Sequence, residues 1–227
     1  MNTPPLPPEG TQTEESQKNM TPQSTIERLR EGNNRYVKNK QVQRDYSDQR
    51  DITKGGQYPY AVVLSCIDSR VPVETVFDQG IGDIFSARVA GNVVSPDITA
   101  SIEYGCKVAG SKLVLVLGHT SCGAVKTAIQ DANATNPLQL GSIRSLLDGI
   151  KPSVHAVHTN EEDERTYTNE DFFRAVVDKN VELTIKNLRN DSPILKEMED
   201  NGDIKIIGAV YNVSTGKVNL PEKGDVV

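Results

Sequence analysis

Three short apolar segments constrain the fold of this chain most strongly. Each is rich in β-branched residues and lacks the polar and apolar alternation of a half-exposed strand: Tyr60–Ser65, Lys112–Leu117 and Lys205–Val213. Continuous runs of this kind are typical of strands that are buried on both faces of a sheet. Asp83–Val89 is a fourth segment of the same type. The sequence therefore predicts four strands in one central sheet.

Helical patterns lie before and between these strands. The predicted helices span residues 21–39, 97–108, 124–132, 140–150 and 169–190, and the predicted loops span residues 41–57 and 155–168. Strands that alternate with helices pair in parallel through right-handed crossovers. The predicted fold class is therefore α/β, with a mainly parallel central β-sheet flanked by helices. Ser214–Gly216 near the end predicts a hairpin that adds an antiparallel edge to the sheet.

The first twenty residues differ in composition from the rest of the chain. Met1–Met20 is rich in Pro, Thr, Gln and Glu and has no apolar segment like that of a secretion signal. This composition predicts a disordered tail over residues 1–20. It also fits a tether left after a secretion or lipoprotein leader is removed. Residues 21–227 contain no internal repeat and are predicted to form one domain.

Charge and cysteine content exclude several classes of protein. The chain has 25 Lys and Arg against 31 Asp and Glu, a formal net charge of −6, and no basic run with aromatic residues, so nucleic acid is not an expected partner. No apolar stretch approaches the roughly 18 to 20 residues that cross a bilayer, so no membrane span is expected. The three cysteines argue against a disulfide framework and favour the cytoplasm, with the bacterial periplasm as the alternative if a leader was removed.

Metal-binding side chains follow two of the predicted strands. Cys66 comes directly after the first strand, and His119 and Cys122 follow the third. Sites in open parallel sheets assemble at the carboxyl ends of the strands, so these residues are expected to converge although 53 positions separate Cys66 from His119. Two thiolates and one imidazole are a zinc-binding set. Three protein ligands would leave the fourth position of a catalytic zinc open for water.

Asp68 and Arg70 lie beside the first of these cysteines. The Asp68 carboxylate either ligates the metal or accepts a hydrogen bond from its water, and a bidentate pair with Arg70 would decide which. Alternatively, Asp68 and Arg70 form a surface ion pair that has no function. For Cys66 and Cys122, the alternative to metal binding is that both are small buried hydrophobic residues. Cys106, inside a helical pattern, is predicted to be structural.

Two complete motifs make the sequence similar to a known family. Cys66-Ile67-Asp68-Ser69-Arg70 and His119-Thr120-Ser121-Cys122-Gly123 resemble the motifs of the β-class carbonic anhydrases. Further matching features are Gly32–Tyr36, Ala90–Asn92, Ser101–Tyr104 and Gly208–Tyr211, and the resemblance spans Thr21–Val218. It implies the fold of that family, in which an N-terminal helical arm packs on a partner subunit, and it implies a homodimer or homotetramer.

The same resemblance implies a reaction. Zinc bound by Cys66, His119 and Cys122 would catalyse the reversible hydration of carbon dioxide to bicarbonate and a proton. The Asp68–Arg70 dyad would orient the zinc-bound hydroxide. The plant-like subclass implies a substrate pocket, built partly from the neighbouring subunit, that contains Gln57, Phe85, Gly91, Tyr104 and Gly123. Another subclass, which is bacterial, has a noncatalytic bicarbonate site and carries a Trp and a Gly just before the first cysteine. This sequence has Val63 and Ser65 at those positions, so that site is not expected.

Two other functions fit the same residues. A zinc hydroxide attacks any small linear heterocumulene, so the substrate is alternatively carbon disulfide or carbonyl sulfide. A noncatalytic, zinc-stabilised binding protein would result if Asp68 filled the fourth metal position permanently. For the enzyme, two thiolate ligands should raise the pKa of the bound water and favour activity at alkaline pH. Movement of Asp68 onto zinc would switch the activity off at low pH.

Overall fold

The computed structural model describes residues 10–136, 141–159 and 165–222. Four parallel strands form one sheet in the order β2-β1-β3-β4: β1 is Ala61–Ser65, β2 is Ile84–Arg88, β3 is Leu113–His119 and β4 is Lys205–Tyr211. The helices are α1 (Glu14–Lys18), α2 (Pro22–Val37), α3 (Tyr46–Thr53), α4 (Val73–Val76), α5 (Pro96–Glu103), α6 (Gly123–Ala132), α7 (Ile143–Ala156), α8 (Glu170–Asp191) and α9 (Pro193–Asp200). A 3-10 turn at Ala90–Asn92 and a π-helical turn at Tyr104–Val108 complete the described elements. Within those residues, no helix combines the length and the apolar character that a bilayer crossing needs.

Helices cover the sheet on both faces. Ala61 and Val63 of β1 pack in a buried cluster with Ile26 and Leu29 of α2, which we call the α2-side core. Val62 and Leu64, which point the opposite way, pack with residues of α5, α8 and α9 in the α8-side core. The apolar face of α2 therefore covers the sheet of its own chain. The predicted α/β class, with a parallel central sheet between helices, is confirmed.

The edge strand β2 is more exposed than its sequence predicts. Ser86 and Arg88 are exposed, whereas every residue of β1 and β3 is buried. An edge strand pairs on one side only, and the described part of the chain leaves these two side chains of β2 exposed. The prediction that β2 is buried on both faces is therefore wrong for the single chain.

The amino-terminal segment is ordered over the part that the structure describes. Helix α1 begins with a capping box in which Thr13 and Ser16 bond to each other's backbone amides. Gln17 is buried, and its Nε2 donates to the carbonyls of Pro59 (2.7 Å) and Ala109 (2.8 Å). In contrast to the expected disorder, these bonds hold residues 10–20 against the loops that precede β1 and β3. Residues 1–9 of the predicted tail lie outside the described residues.

Local capping and turn geometry account for the other differences. Helices α3 and α9 lie outside the predicted helices, yet each begins at a side-chain cap, Asp45 and Ser192 respectively. Helix α5 begins one residue before the predicted start, at Pro96, because Ser95 caps it. The expected terminal hairpin is reduced to one antiparallel bridge between Tyr211 and Val218. It stops there because the Val218 amide donates to the side chain of Asn33 in α2 (2.9 Å) instead of continuing a strand ladder.

Candidate metal centre

The three predicted ligand residues meet at the carboxyl edge of the sheet. Cys66 directly follows β1, His119 ends β3, and Cys122 is the N-cap residue of α6. Strands β1 and β3 are parallel neighbours, so their carboxyl ends lie side by side. One donor atom from each of the three residues lies within 4.8 Å of the others, and all three side chains are buried. The topology thus brings together residues that are distant in sequence.

The His119 ring is oriented as a metal ligand needs to be. Its Nδ1 lies 2.9 Å from the Thr120 carbonyl oxygen, and since a carbonyl only accepts, Nδ1 carries the proton. The other nitrogen, Nε2, is left with a lone pair. It is buried and, within the described residues, has no hydrogen-bond partner. Burying an unsatisfied polar atom costs about 1 to 3 kcal/mol, and a cation bound at Nε2 would remove that cost.

The pKa values of the two thiols are shifted in opposite directions. A hydrogen bond from the Cys122 thiol lowers the pKa of Cys66 to about 4, and the Gly91 amide, 3.4 Å from the sulfur, acts in the same direction. The pKa of Cys122 is raised, because Cys122 gives its proton to that bond and is itself buried. The pair thus shares one proton, which a divalent cation can displace. Two sulfurs and one imidazole nitrogen fit zinc.

Asp68 and Arg70 form the predicted bidentate pair. Arg70 Nε donates to Asp68 Oδ1 (2.9 Å), Nη2 donates to Oδ2 (2.7 Å), and the Arg70 amide also donates to Oδ1 (3.0 Å). This guanidinium holds the pKa of Asp68 well below its usual range. Asp68 Oδ2 lies 3.9 Å from His119 Nε2. An ionised, immobilised carboxylate therefore borders the three candidate ligands.

The predicted pocket residues lie at different distances from this centre. Gly91 reaches the Cys66 sulfur through its amide, and Gly123 follows Cys122 as the first residue of α6. Phe85 is half-buried on β2 in the α8-side core, and Tyr104 is 57% exposed at the start of the π-helical turn. Gln57 is exposed before the amino end of β1, so the length of that strand, about 16 Å, separates it from the centre. Within one chain, Gln57 does not reach the candidate ligands.

Two residues that support the centre were not predicted. The Thr120 carbonyl fixes the His119 ring, and the Asn180 side chain donates to the Gly91 carbonyl (2.8 Å) from α8. A backbone carbonyl has no signature in the sequence. Asn180, however, is a polar residue between Val177 and Val181 on a buried helix face. Because buried polar groups need partners, that position is a signal that sequence reasoning could have used.

Replacing Gly91 with alanine is expected to destabilise the fold near the centre. Gly91 has φ +72°, and an added Cβ would lie 2.5 Å from Ile150 Cδ1. Left-handed backbone strain and overpacking each cost about 1 to 3 kcal/mol, so we expect a loss of at least about 2 kcal/mol in denaturant unfolding. Gly123→Ala is the matched control, because an added Cβ there meets open space. Equal stability of the two variants would contradict the assigned role of Gly91.

Comparisons with known proteins identify the family. The carbonic anhydrase family model matches residues 61–218. Carbonic anhydrase 2 of Mycobacterium tuberculosis is 34% identical over 208 residues, covering 89% of this chain and 94% of that protein. The β-carbonic anhydrase of Coccomyxa, solved in complex with acetazolamide, is similar in structure with a TM-score of 0.65 and 27% identity over 77% of this chain and 78% of its own.

A second solved structure, the β-carbonic anhydrase CcaA, has the same fold, with a TM-score of 0.65 at 23% identity over 89% of this chain and 95% of its own. The segment that the family model matches begins at the first residue of β1 and ends at Val218. It contains both motifs, and therefore the Cys66, His119 and Cys122 cluster and the Asp68–Arg70 pair. With this sequence match, this fold and this site, the chain belongs to the β-class carbonic anhydrases.

Proposed function

We propose that this chain catalyses the reversible hydration of carbon dioxide to bicarbonate and a proton at a zinc ion held by Cys66, His119 and Cys122. The main support is the buried His119 Nε2, which lacks a hydrogen-bond partner among the described residues and lies in a cluster with two cysteine sulfurs. A bound zinc ion acts as a Lewis acid and makes water nucleophilic near neutral pH. The protein residues hold that ion and orient the reactants.

Asp68 orients the nucleophilic water. Each carboxylate oxygen has two lone pairs, and Arg70 Nη2 is the hydrogen-bond donor to Oδ2. Oδ2 lies at the edge of the ligand cluster and can accept a further hydrogen bond there. Because ionised Asp68 only accepts, the water must direct a proton at Asp68 and a lone pair elsewhere. In this proposal, that lone pair is the one that attacks the carbon of the substrate.

Arg70 keeps Asp68 in that role. It engages both carboxylate oxygens, and its Nη2 also donates to the Ser121 carbonyl (3.2 Å), one residue before Cys122. The pair therefore joins the loop after β1 to the loop after β3. With both oxygens held in this way, Asp68 is directed towards Arg70, which in this proposal leaves the fourth ligand position to water. This geometry favours the enzyme over the closed, noncatalytic site.

A second copy of the chain completes the pocket in this proposal. Ile67, Tyr104 and Val108 are between 57% and 68% exposed, and Ser86 and Arg88 of the edge strand β2 are exposed. Large exposed apolar groups beside an open sheet edge are typical of a protein interface. We expect a homodimer or homotetramer in which the partner supplies groups such as Gln57. A monomeric mass in sedimentation equilibrium would contradict this expectation.

Removing the metal is expected to abolish activity reversibly. Carbon dioxide hydration is followed by stopped flow with a pH indicator, on protein whose zinc content is measured. We expect one zinc per chain, loss of turnover after treatment with a chelator, and recovery when zinc is added. Acetazolamide, which the Coccomyxa relative binds, is expected to inhibit the zinc form. One zinc per chain without turnover would contradict the proposal and favour a sulfur-containing substrate or a closed structural site.

A further inference from the structure

An arginine of the edge strand holds the loop that carries Cys66 and Asp68. Strand β1 ends at Ser65, opposite Arg88 at the end of β2, and the Val89 amide donates to the Ser65 carbonyl (3.0 Å). Beyond Ser65 the chain leaves the sheet, and the side chain of Arg88 extends the row of bonds. Its Nε donates to the Cys66 carbonyl (3.0 Å) and its Nη2 to the Asp68 carbonyl (2.7 Å).

These two carbonyls belong to residues with different roles. Cys66 is a candidate metal ligand, and Asp68 is the carboxylate that Arg70 immobilises. One planar guanidinium with its donors in a fixed fork therefore links the backbone of the ligand residue to the backbone of the carboxylate residue. Arg70 acts on the Asp68 side chain, whereas Arg88 acts on the backbone beneath it.

Apolar packing holds this loop at its ends, through Cys66 and Val71, and does little between them. Ile67, between the two residues, is 60% exposed, so its side chain anchors the loop poorly. The end of β2 and the 3-10 turn after it hold Cys66 at two points, the carbonyl through Arg88 and the sulfur through the Gly91 amide. Removing the Arg88 donors would take one hydrogen bond from each of these carbonyls and loosen the backbone between Cys66 and Asp68, although the Val71 amide (3.0 Å) would still donate to the Asp68 carbonyl.

We propose that Arg88 is a positioning residue of the metal centre. Its guanidinium sets where the Cys66 sulfur and the Asp68 carboxylate lie relative to His119, although it touches neither the three ligand atoms nor the carboxylate. This inference rests on the proposed zinc site. Groups that orient metal ligands from outside the coordination shell typically change metal affinity by about 10- to 100-fold when they are replaced.

The test compares three variants of the full chain. Arg88→Met keeps the apolar stem and removes all donors, and Arg88→Lys keeps the charge but loses the fork. Arg174→Met is the control, because it makes the same charge change at a 69% exposed arginine on α8. Zinc affinity is measured by competition with a chromophoric chelator. Ligand geometry is measured from the absorption spectrum of the cobalt-substituted protein, which a merely structural role of Arg88 would not change.

We expect Arg88→Met to lower zinc affinity about tenfold or more and to alter the cobalt spectrum. Arg88→Lys should lie between Arg88→Met and the wild type, and Arg174→Met should match the wild type. Wild-type affinity and spectrum in Arg88→Met would overturn the inference, and so would an equal loss in Arg174→Met. If Arg88→Met does not fold, wild-type behaviour of Arg88→Lys overturns it. A wild-type chain that binds no zinc would overturn the proposed metal centre as well, so the two failures are distinguishable.

Discussion

Replacing Cys122 with alanine is expected to abolish stoichiometric zinc binding and to lower kcat/KM for carbon dioxide hydration by about 10³-fold or more. The variant retains only Cys66 and His119 of the three converging donors. A catalytic metal ion contributes several kcal/mol of transition-state stabilisation, and about 4 kcal/mol corresponds to a 10³-fold change in rate. Metal analysis of the purified variant and stopped-flow hydration measure the two effects separately.

The third cysteine provides the matched control. Cys106 is buried in the α8-side core, and burial raises the pKa of its thiol to about 12, so the group is neutral under ordinary conditions. Cys106→Ala should therefore bind zinc and turn over substrate like the wild type, with a small loss of stability. Full zinc content and turnover in Cys122→Ala would show that the ligand set is assigned wrongly. Loss of zinc in Cys106→Ala would show that the effect is not specific to the cluster.

Replacing Arg70 with alanine is expected to leave zinc bound and to lower kcat by about 10²-fold, since a small misplacement of a reacting group costs that much. The variant keeps all three candidate ligands but frees Asp68, which then no longer holds one orientation beside His119. Stopped-flow hydration and metal analysis on the same sample test both halves of the result. Arg70→Lys should recover only part of the activity, because lysine cannot form the bidentate pair.

Stability measurements distinguish this role from a structural one. Arg70 is half-exposed, and an ion pair at such a position contributes less than about 1 kcal/mol to the free energy of unfolding. The unfolding midpoint of Arg70→Ala should therefore stay close to that of the wild type. Turnover equal to the wild type would remove the Asp68–Arg70 pair from the mechanism. Together with Cys122→Ala, this variant separates binding of the metal from orientation of the reactants.

The sequence predicted the central features of the site because they depend on local or general rules. Asp68 and Arg70 are two residues apart, so their pairing needs little more than the local turn. Cys66 and His119 follow apolar runs that had to become neighbouring buried strands, and parallel strands place their carboxyl ends at one edge. Neither rule depends on contacts with other parts of the chain. They account for the convergence of all three candidate ligands.

Other features depend on contacts between distant parts of the chain, and only the tertiary structure decided them. Gln17 is buried because its amide meets the carbonyl of Ala109, 92 residues later, although the composition around it predicts disorder. The His119 tautomer and the Arg88 bonds depend on backbone carbonyls, which every residue has and no sequence pattern marks. The sequence by itself thus determined which side chains form the centre and which edge of the sheet they share. The tertiary structure determined which backbone groups hold them, because the partners of those groups exist only once the chain has folded.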